Sequence, residues 1–267
     1  MKIVVIHGSM RKGNTYALTG KVTCRLSAMP DTSLQEFGVA DLDLPFCRSC
    51  HQCFTKGEQH CPHYETIHDI YAALVECDGI IVAGTTYMWA VNAALKNLLD
   101  HFAYMFHRPV LFGKKGMVIT TSAGAGEKKA ASYLKTILGQ WGVNGALVVT
   151  QNEKERSLQS DVRLNAKIER FSNRFYALIK SKQQIAPGFK SIAVHNAFRA
   201  MSLSGFTGSE ADGQFWQKEG FRDRAYPVKA GTTKYLFGVL VFSAVRSLTG
   251  IIGKIYIKRN GSINNLC

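Results

Sequence analysis

Short apolar runs alternate along the chain with longer segments of helical character. The first run, Lys2–His7, is rich in β-branched residues and ends at a glycine, which is typical of a buried strand. Four further strands are predicted at Ser33–Gly38, Gly79–Ala83, Gly116–Thr121 and Ala146–Thr150. Helices are predicted beside them at about Asn14–Ala28, Ile67–Glu76, Ala90–Phe106, Lys128–Gly139 and Leu158–Lys180. Strands that alternate with helices at this spacing predict right-handed βαβ crossovers and an α/β fold with a parallel sheet.

Five strands and their helices need only about 180 residues of a chain of this length. We predict a doubly wound, five-stranded, flavodoxin-like domain over residues 1–182 and a C-terminal extension over residues 183–267. In such sheets ligands lie at the carboxyl ends of the strands, near the point where the strand order reverses. The informative residues are therefore expected just after the first, third and fourth predicted strands.

Composition places the chain among folded proteins with thiol cysteines. Residues are 46% apolar and 19% charged, which allows a substantial core and excludes a disordered chain. The N-terminal apolar run is too short for a signal peptide and turns directly into a glycine loop, so we expect a cytoplasmic location. The seven cysteines are then expected to be thiols or ligands rather than a disulfide framework.

The positive charge is concentrated in the C-terminal part. The chain carries a net charge of +14; residues 1–150 hold 14 basic against 11 acidic side chains, and residues 151–267 hold 19 against 8. A basic surface attracts nucleic acid, anionic lipid or a phosphorylated cofactor, or is simply well solvated. No nucleic-acid-binding motif and no alternation of basic and aromatic residues is found, so we expect no nucleic-acid partner.

The loop after the first strand is a candidate anion site. It reads Gly8-Ser9-Met10-Arg11-Lys12-Gly13-Asn14-Thr15. Hydroxyl and amide groups, backbone N–H groups and a helix N-terminus would surround an anion there, with two cationic side chains adding charge. The loop is neither a dinucleotide-binding glycine motif nor a Walker loop. An ordinary N-capped loop is the alternative interpretation.

Two further strand ends complete the pattern. Tyr87 and Trp89 flank Met88 after the third predicted strand and offer a flat apolar wall to a planar ring. After the fourth, residues 121–126 are small and let backbone amides approach a ligand closely. Each of the three segments is weak evidence alone, but their positions at three predicted strand ends favour a ligand site.

At these residues the sequence resembles the family of NADPH-dependent FMN reductases and flavodoxins, over about residues 1–180. The loop Gly8–Thr15 is similar to that family's FMN phosphate loop, and Tyr87, Lys96 and Asp100 reproduce its spacing of tyrosine, lysine and aspartate. Two positions depart from the family pattern. Gly84-Thr85 stands where the family often has Ser-Pro, and His101 stands where an arginine commonly follows the aspartate.

The resemblance implies bound FMN with NAD(P)H as electron donor. Ser9, Arg11, Asn14 and Thr15 would hold the phosphate. Tyr87 to Ala90 would border the isoalloxazine ring, and Ser122 to Gly124 would lie at its other edge. No catalytic side chain is expected, because the flavin carries the hydride chemistry. The full predicted cofactor-binding set is Ser9, Arg11, Lys12, Gly13, Asn14, Thr15, Thr85, Thr86, Tyr87, Met88, Trp89, Ala90, Thr121, Ser122, Ala123 and Gly124.

Four cysteines between the second strand and the second helix form a second motif. Cys47, Cys50, Cys53 and Cys61 have the spacing C-x2-C-x2-C-x7-C. This spacing suits an iron–sulfur cluster better than structural zinc, and unmetallated thiols are the third interpretation. The motif resembles that of iron–sulfur flavoproteins, which implies a [4Fe-4S] cluster that passes electrons between FMN and a partner. The histidines among the cysteines are interpreted as surface residues.

The extension contains an apolar segment, Tyr235–Ile257, with basic residues on both sides and Arg246 at its middle. The leading interpretation is a helix buried against another subunit of a homo-oligomer. A peripheral contact with a membrane surface and a transmembrane helix are the alternatives.

These observations favour an FMN-dependent NAD(P)H oxidoreductase that passes electrons to a small-molecule acceptor such as a quinone, nitro or azo compound. The alternative is an electron carrier that exchanges single electrons with a ferredoxin-like protein. A redox or metal sensor without turnover is a third hypothesis.

Overall fold

The computed structural model describes residues 1–153, 161–218 and 226–260. Within them, a sheet contains β1 (Lys2–His7), β2 (Ser33–Gly38), β3 (Gly79–Tyr87), β5 (Lys115–Ser122) and β6 (Leu147–Asn152) in the order β2-β1-β3-β5-β6. All four neighbouring pairs are parallel. This is the flavodoxin-like order, and the predicted fold class is confirmed. The order reverses between β1 and β3, which places the expected ligand site at the carboxyl ends of those two strands.

Burial along the strands follows their position in the sheet. β5 is buried at all eight residues, and β3 is buried over its first six. Helices cover both faces of such central strands, so their sequences are almost continuously apolar. β2 lies at the edge and is largely exposed, which explains its weaker apolar pattern.

The helices lie on both faces of the sheet. Leu18 and Val22 of α1 and Phe175 and Ile179 of α6 pack on Ile3 and other residues of one face. α3 (Tyr64–Glu76) follows β2, α4 (Ala93–His101) lies between β3 and β5 in the chain, and α5 (Glu127–Gln140) follows β5. The bounds in the first part of the chain are α1 (Asn14–Ser27), α2 (Gln52–Thr55), α3 (Tyr64–Glu76), α4 (Ala93–His101), α5 (Glu127–Gln140) and α6 (Asp161–Lys180), with 3-10 turns at Glu58–His60 and Ala103–Phe106.

The predicted helix at Ala90–Phe106 is wrong at its start. Ala90–Val91 instead form a short strand, β4, that pairs antiparallel with the end of β3. Met88 and Trp89 make the connecting two-residue turn with φ values of +46° and +66°. A hairpin of this kind requires positive φ at both turn positions, and Met-Trp lacks the glycine or asparagine that usually signals it. α4 begins only after Asn92, whose side chain accepts a hydrogen bond from the Leu95 N–H at 2.9 Å.

By its contacts the chain divides into two compact units. The first comprises Met1–Cys50 and Pro62–Ile185, and the second comprises His51–Cys61 and the described residues from Ala186 onward. The division into domains at residues 182 and 183 stays a prediction.

The second unit is helical. Its longer helices are α7 (Phe189–Leu203), α8 (Glu210–Gln217) and α9 (Thr232–Asn260), and α7 packs against both of the others. Buried aromatic residues surround the His195 ring, whose centroid lies 4.8 Å from those of Trp216 and Tyr226. Ser209 begins α8, and its hydroxyl accepts a hydrogen bond from the Asp212 N–H at 3.0 Å.

One helix within the described ranges is long and apolar enough to cross a bilayer. It is the 21-residue stretch Thr232–Ile252 in α9, and only 11% of its apolar window is buried. The core helix of a soluble protein is often as long and as apolar, but it is mostly buried.

Candidate functional site

Four hydroxyl groups join the carboxyl ends of three strands. The Thr85 Oγ1 at the end of β3 lies 2.7 Å from Ser9 Oγ and 2.9 Å from Thr15 Oγ1. Thr15 Oγ1 also lies 2.6 Å from Thr121 Oγ1 of β5. The structure therefore brings together residues predicted from three separate sequence segments.

The loop after β1 turns tightly against the sheet. The Gly8 N–H donates to the Ala83 carbonyl at 2.7 Å, and a Cβ at Gly8 would lie only 2.6 Å from that oxygen. Only glycine allows this approach. α1 then begins at Asn14 after Gly13, and no described side chain caps its first turn. Its first N–H groups are thus available to an anion.

The polar side chains of this loop differ in where they point. Arg11 is exposed and lines a cavity at the strand ends. The Lys12 ammonium lies 5.6 Å from the centre of the Tyr16 ring. The Asn14 amide donates to the Glu153 carboxylate at 2.9 Å, so this asparagine ties the loop to the end of β6.

The β3–β4 hairpin presents apolar side chains to solvent. Met88 is 94% exposed, and Tyr87 and Trp89 are more than half exposed. The Lys129 ammonium lies 4.3 Å from the centre of the Trp89 ring, which is cation–π geometry. Gly126 has a φ of +98°, and a Cβ there would lie 3.2 Å from Trp89 Cα, so the hairpin packs on the loop after β5.

The loop after β5 is closed by hydrogen bonds to Glu127. The Ser122 hydroxyl donates to the Glu127 carboxylate at 2.7 Å, and the Thr120 hydroxyl donates to its carbonyl at 2.9 Å. Burial alone would raise the pKa of Glu127, but the hydrogen bond from Ser122 and others outweigh it and hold the pKa below its usual value. Ala123 and Gly124 remain exposed at the loop tip.

A cavity of about 890 Å³ opens where the strand order reverses. The β1 loop, the segment after β2, the end of β3 and the start of α4 all contribute to its wall. Of the predicted cofactor-binding set, the cavity is lined by Ser9, Arg11, Thr85 and Tyr87. The other predicted residues lie outside its lining. They are on the loop after β1, at the start of α1, on β3 and the hairpin, and at the end of β5 and the loop after it: Lys12, Gly13, Asn14, Thr15, Thr86, Met88, Trp89, Ala90, Thr121, Ser122, Ala123 and Gly124.

Two asparagines on this wall were not among the predicted site residues. Asn97 accepts a hydrogen bond from the Cys47 N–H at 2.9 Å and donates to the carbonyls of Leu44 at 3.2 Å and Pro45 at 3.0 Å. It thereby fixes the segment that supplies Leu44 and Phe46 to the cavity. Asn92 donates to the Gly8 carbonyl. An amide on the apolar face of a helix is the signal that could have identified Asn97.

His101, one of the two departures from the family pattern, is buried. Its Nδ1 lies 2.8 Å from the Asn97 carbonyl and its Nε2 lies 2.9 Å from His63 Nδ1. Burial lowers the pKa of His101, so the ring is neutral. Nδ1–H then donates to the carbonyl, and Nε2 accepts from His63.

The four motif cysteines are all at least partly accessible. Cys47 and Cys50 are exposed, whereas Cys53 and Cys61 are half-buried. The first two belong to the first unit and the last two to the second. Ser49 and His51 have φ values of +51° and +57°, so the backbone curls on both sides of Cys50. Cysteine thiols are the ligands that iron–sulfur clusters take. Cys53, however, lies within the short helix α2 rather than on an irregular loop.

Comparison with known families identifies the class of protein. The model of the NADPH-dependent FMN reductase family matches residues 1–154. The chain belongs to this family, as the resemblance of its strand-end residues indicated.

Individual relatives and solved structures agree with this assignment. An iron–sulfur flavoprotein of Clostridioides difficile (strain 630) is 25% identical over 232 residues, covering 82% of this chain and 99% of the relative. An iron–sulfur flavoprotein of Methanocaldococcus jannaschii is 26% identical over 198 residues, covering 68% and 99%. Among solved structures, an azoreductase from Bacillus anthracis str. Sterne has a TM-score of 0.54 at 13% identity, covering 67% of this chain and 99% of that one. An apo NADH:FMN oxidoreductase has a TM-score of 0.50 at 24% identity, covering 65% and 89%. The two structures show that the fold is shared.

Proposed function

We propose that the chain is an FMN-dependent NAD(P)H oxidoreductase that passes electrons from a nicotinamide cofactor through bound FMN to a small acceptor. The observation that carries this proposal is the cavity at the strand-order reversal, lined by Ser9, Arg11, Thr85 and Tyr87. In doubly wound sheets this is the place where ligands bind. The family match over residues 1–154 supplies the class of reaction.

The residues present fit the phosphate of FMN. Arg11 offers a cation, Ser9 and Thr15 offer hydroxyl groups, and the uncapped start of α1 offers backbone N–H groups. Lys12, Gly13 and Asn14 complete the loop in the proposal. A single terminal phosphate is what such a loop accommodates, which favours FMN over FAD.

The isoalloxazine ring would lie beside the β3–β4 hairpin. Tyr87, Met88, Trp89 and Ala90 would border one edge, with Thr85 and Thr86 beneath it. The Thr86 Oγ1 is buried without a hydrogen-bond partner among the described residues, and Thr86 lies outside the cavity lining. The other edge of the ring would meet the β5 loop: Thr121, Ser122, Ala123 and Gly124.

When bound, FMN supplies hydride transfer, and the chain's own residues position it and its reactants. The hydroxyl cluster and α1 fix the phosphate end. The hairpin would cover one side of the bound ring, and its exposed apolar tip offers a surface on which a flat molecule stacks. Phe46, which is 76% exposed and lines the cavity, adds a second aromatic face. A planar aromatic acceptor, such as a quinone, nitro or azo compound, fits these surfaces. The nicotinamide donor and the expected cytoplasmic location are parts of the same proposal.

The cysteine motif favours a second candidate function, that of an electron carrier. Cys47, Cys50, Cys53 and Cys61 would hold a [4Fe-4S] cluster, and electrons would pass singly to a ferredoxin-like partner. The relatives from C. difficile and M. jannaschii are named iron–sulfur flavoproteins. The absorption spectrum of protein purified without oxygen, together with its iron and acid-labile sulfide content, decides this point. Flavin bands without iron leave the reductase as the better account.

Flavin titration tests the proposed FMN site. Ser9→Ala combined with Arg11→Ala should weaken FMN by about 2–4 kcal/mol, the usual range for two bonds to a charged group. Lys21→Ala removes an exposed cation from α1 away from the loop and should leave the affinity unchanged. Equal affinities for the double variant and the control would rule out this phosphate site.

A further inference from the structure

One face of α9 is exposed between Leu236 and Ile251 and carries apolar side chains at both ends. Leu236, Leu240 and Ile251 lie on this face, and they are 56%, 69% and 56% exposed. Ser243 and Ser247 lie between them at the spacing of one helical face. We call these five positions the outer stripe.

The opposite face of α9 already has its partner within the second unit. The rings of Phe237 and Phe189 are in edge contact with centroids 5.2 Å apart. The Arg199 guanidinium of α7 lies 4.2 Å from the centre of the Phe242 ring. α7 and the residues beside it therefore pack against one side of α9, and the outer stripe stays exposed to solvent. An exposed apolar strip of this length is typical of a surface that contacts a partner or a membrane.

The charge around α9 has a single sign. After Tyr226 the chain contains six basic residues and no acidic residue: Lys229, Lys234, Arg246, Lys254, Lys258 and Arg259. Lys229 and Lys234 precede the apolar stretch Tyr235–Ile257, Arg246 and Lys254 lie within it, and Lys258 and Arg259 follow it. A surface of this kind is electrostatically complementary to an anionic partner.

A small cavity lies beside the start of α9. Its volume is about 310 Å³, and Lys229, Lys234 and Tyr235 are among its lining residues. The Lys234 ammonium also donates to the Pro187 carbonyl at 2.8 Å, which holds this lysine at the cavity wall. Two ammonium groups and a helix N-terminus favour an anionic group at this end of the helix.

We propose that the outer stripe of α9 docks on the surface of a bilayer that contains anionic phospholipid. The apolar side chains would enter the interfacial region, and the lysines at the start of the helix would contact lipid phosphates. A second copy of this chain is disfavoured as the occupant, because it would bring two basic helices together without any acidic residue on either.

Arg246 favours a helix that lies on the surface rather than one that spans it. It is exposed near the middle of the apolar stretch, about a quarter turn from the outer stripe, with its guanidinium 5.9 Å from the centre of the Phe242 ring. In a spanning helix this charge would lie at the bilayer centre, which is costly. In a helix parallel to the surface the long side chain reaches the headgroups.

Vesicle co-sedimentation of the full chain tests the proposal. Wild-type protein should sediment with vesicles of phosphatidylcholine and phosphatidylglycerol, less with pure phosphatidylcholine, and less again as salt is raised. Leu236→Gln combined with Leu240→Gln keeps the charge and should reduce binding at least about tenfold. Val162→Gln changes an apolar residue of α6 that is 77% exposed and should leave binding unchanged.

Three results would overturn the proposal. The first is wild-type protein that stays in the supernatant with anionic vesicles while circular dichroism shows it folded. The second is binding that the double glutamine variant retains, which would indicate charge attraction alone. The third is a dimer in lipid-free buffer that the double variant converts to a monomer, which would make a second copy the occupant.

Discussion

The hydroxyl of Thr85 lies 2.7 Å from that of Ser9, so the end of β3 is hydrogen-bonded to the loop that follows β1. These residues are 76 positions apart in the chain. Their contact fixes the cavity at the reversal of strand order, and Thr85 also reaches Thr15 at the start of α1.

Replacing Thr85 with valine should therefore loosen the proposed phosphate site. The change keeps the shape of the side chain but leaves the Ser9 hydroxyl without its Thr85 partner, whereas Thr15 keeps its contact with Thr121. FMN affinity should fall by about 1–3 kcal/mol, the usual effect of one unsatisfied buried group. Thr136→Val, on the exposed side of α5, is the matched control and should bind FMN as the wild type does. Fluorescence titration of both proteins makes the comparison, and an unaffected Thr85→Val variant would contradict the role of the cluster.

Asn97 should stabilise the segment that leads to the cysteine loop. Asn97→Ala removes one acceptor and two donor contacts to residues 44–47 and should cost about 2–3 kcal/mol in the free energy of unfolding. Hydrogen exchange at the Cys47 amide should accelerate more than exchange in β5. Gln35→Ala, an exposed amide on β2, should change neither quantity. Unaltered exchange at Cys47 in Asn97→Ala would show that another contact holds the segment.

The turn at Met88 should carry backbone strain that a better turn residue relieves. Met88 is 94% exposed at a φ of +46°, so substitution removes few packing contacts. Asparagine tolerates this conformation, and Met88→Asn should raise the free energy of unfolding by about 0.5–1 kcal/mol. The same change should raise KM for an aromatic acceptor, because the apolar tip is lost. Met10→Asn, at an exposed position outside the left-handed region, should give no gain in stability. A destabilised Met88→Asn protein would disprove the strain.

His195 should make the second unit sensitive to acid. Burial, with a contribution from Arg199, lowers the pKa of this histidine to about 3 in the folded chain. An unfolded histidine has a pKa of about 6.5, so the unfolded state binds more protons between these two values. The free energy of unfolding is therefore unaffected by His195 protonation above about pH 6.5. It decreases as the pH falls from there toward the pKa of His195 in the folded chain.

Hydrogen exchange in α7 and α8 measures this dependence. Protection should decrease between pH 7.5 and pH 5 after correction for the intrinsic exchange rate, and His195→Gln should remove most of that decrease. His60→Gln alters an exposed histidine and should preserve it. Equal pH dependence in His195→Gln and the wild type would assign the effect to other groups.

The sequence patterns predicted the sheet more completely than the site. β1 and β2 have the predicted bounds, because an apolar run bounded by glycine or turn residues reports both burial and length. The β3–β4 hairpin was missed because Met88 and Trp89 adopt positive φ without the residue types that signal it. Contacts with Gly126 and Lys129, which lie far along the chain, hold the backbone of this turn in place. Local residue types therefore could not predict its conformation.

The strand-end residues could be predicted as a group because parallel strands bring their carboxyl ends to one edge. The partners of individual side chains could not. The role of Asn14 at the phosphate stays a prediction, but nothing in the sequence indicated that its amide donates to Glu153, which is 139 residues away. Asn97 was not predicted at all, because its partners are the backbone of a segment about 50 residues earlier. Pairings of this kind depend on how the loops pack, which local patterns do not encode.

Anaerobic reduction of the FMN-loaded protein by NADPH tests whether the chain is an NAD(P)H-dependent flavin oxidoreductase. The flavin absorption should bleach with one NADPH consumed per FMN, since each transfers two electrons, and a quinone added afterwards should restore it. NADH in a parallel titration measures the preference between the two donors. A chain that retains no FMN after reconstitution, or whose bound FMN neither nicotinamide reduces, would contradict the account.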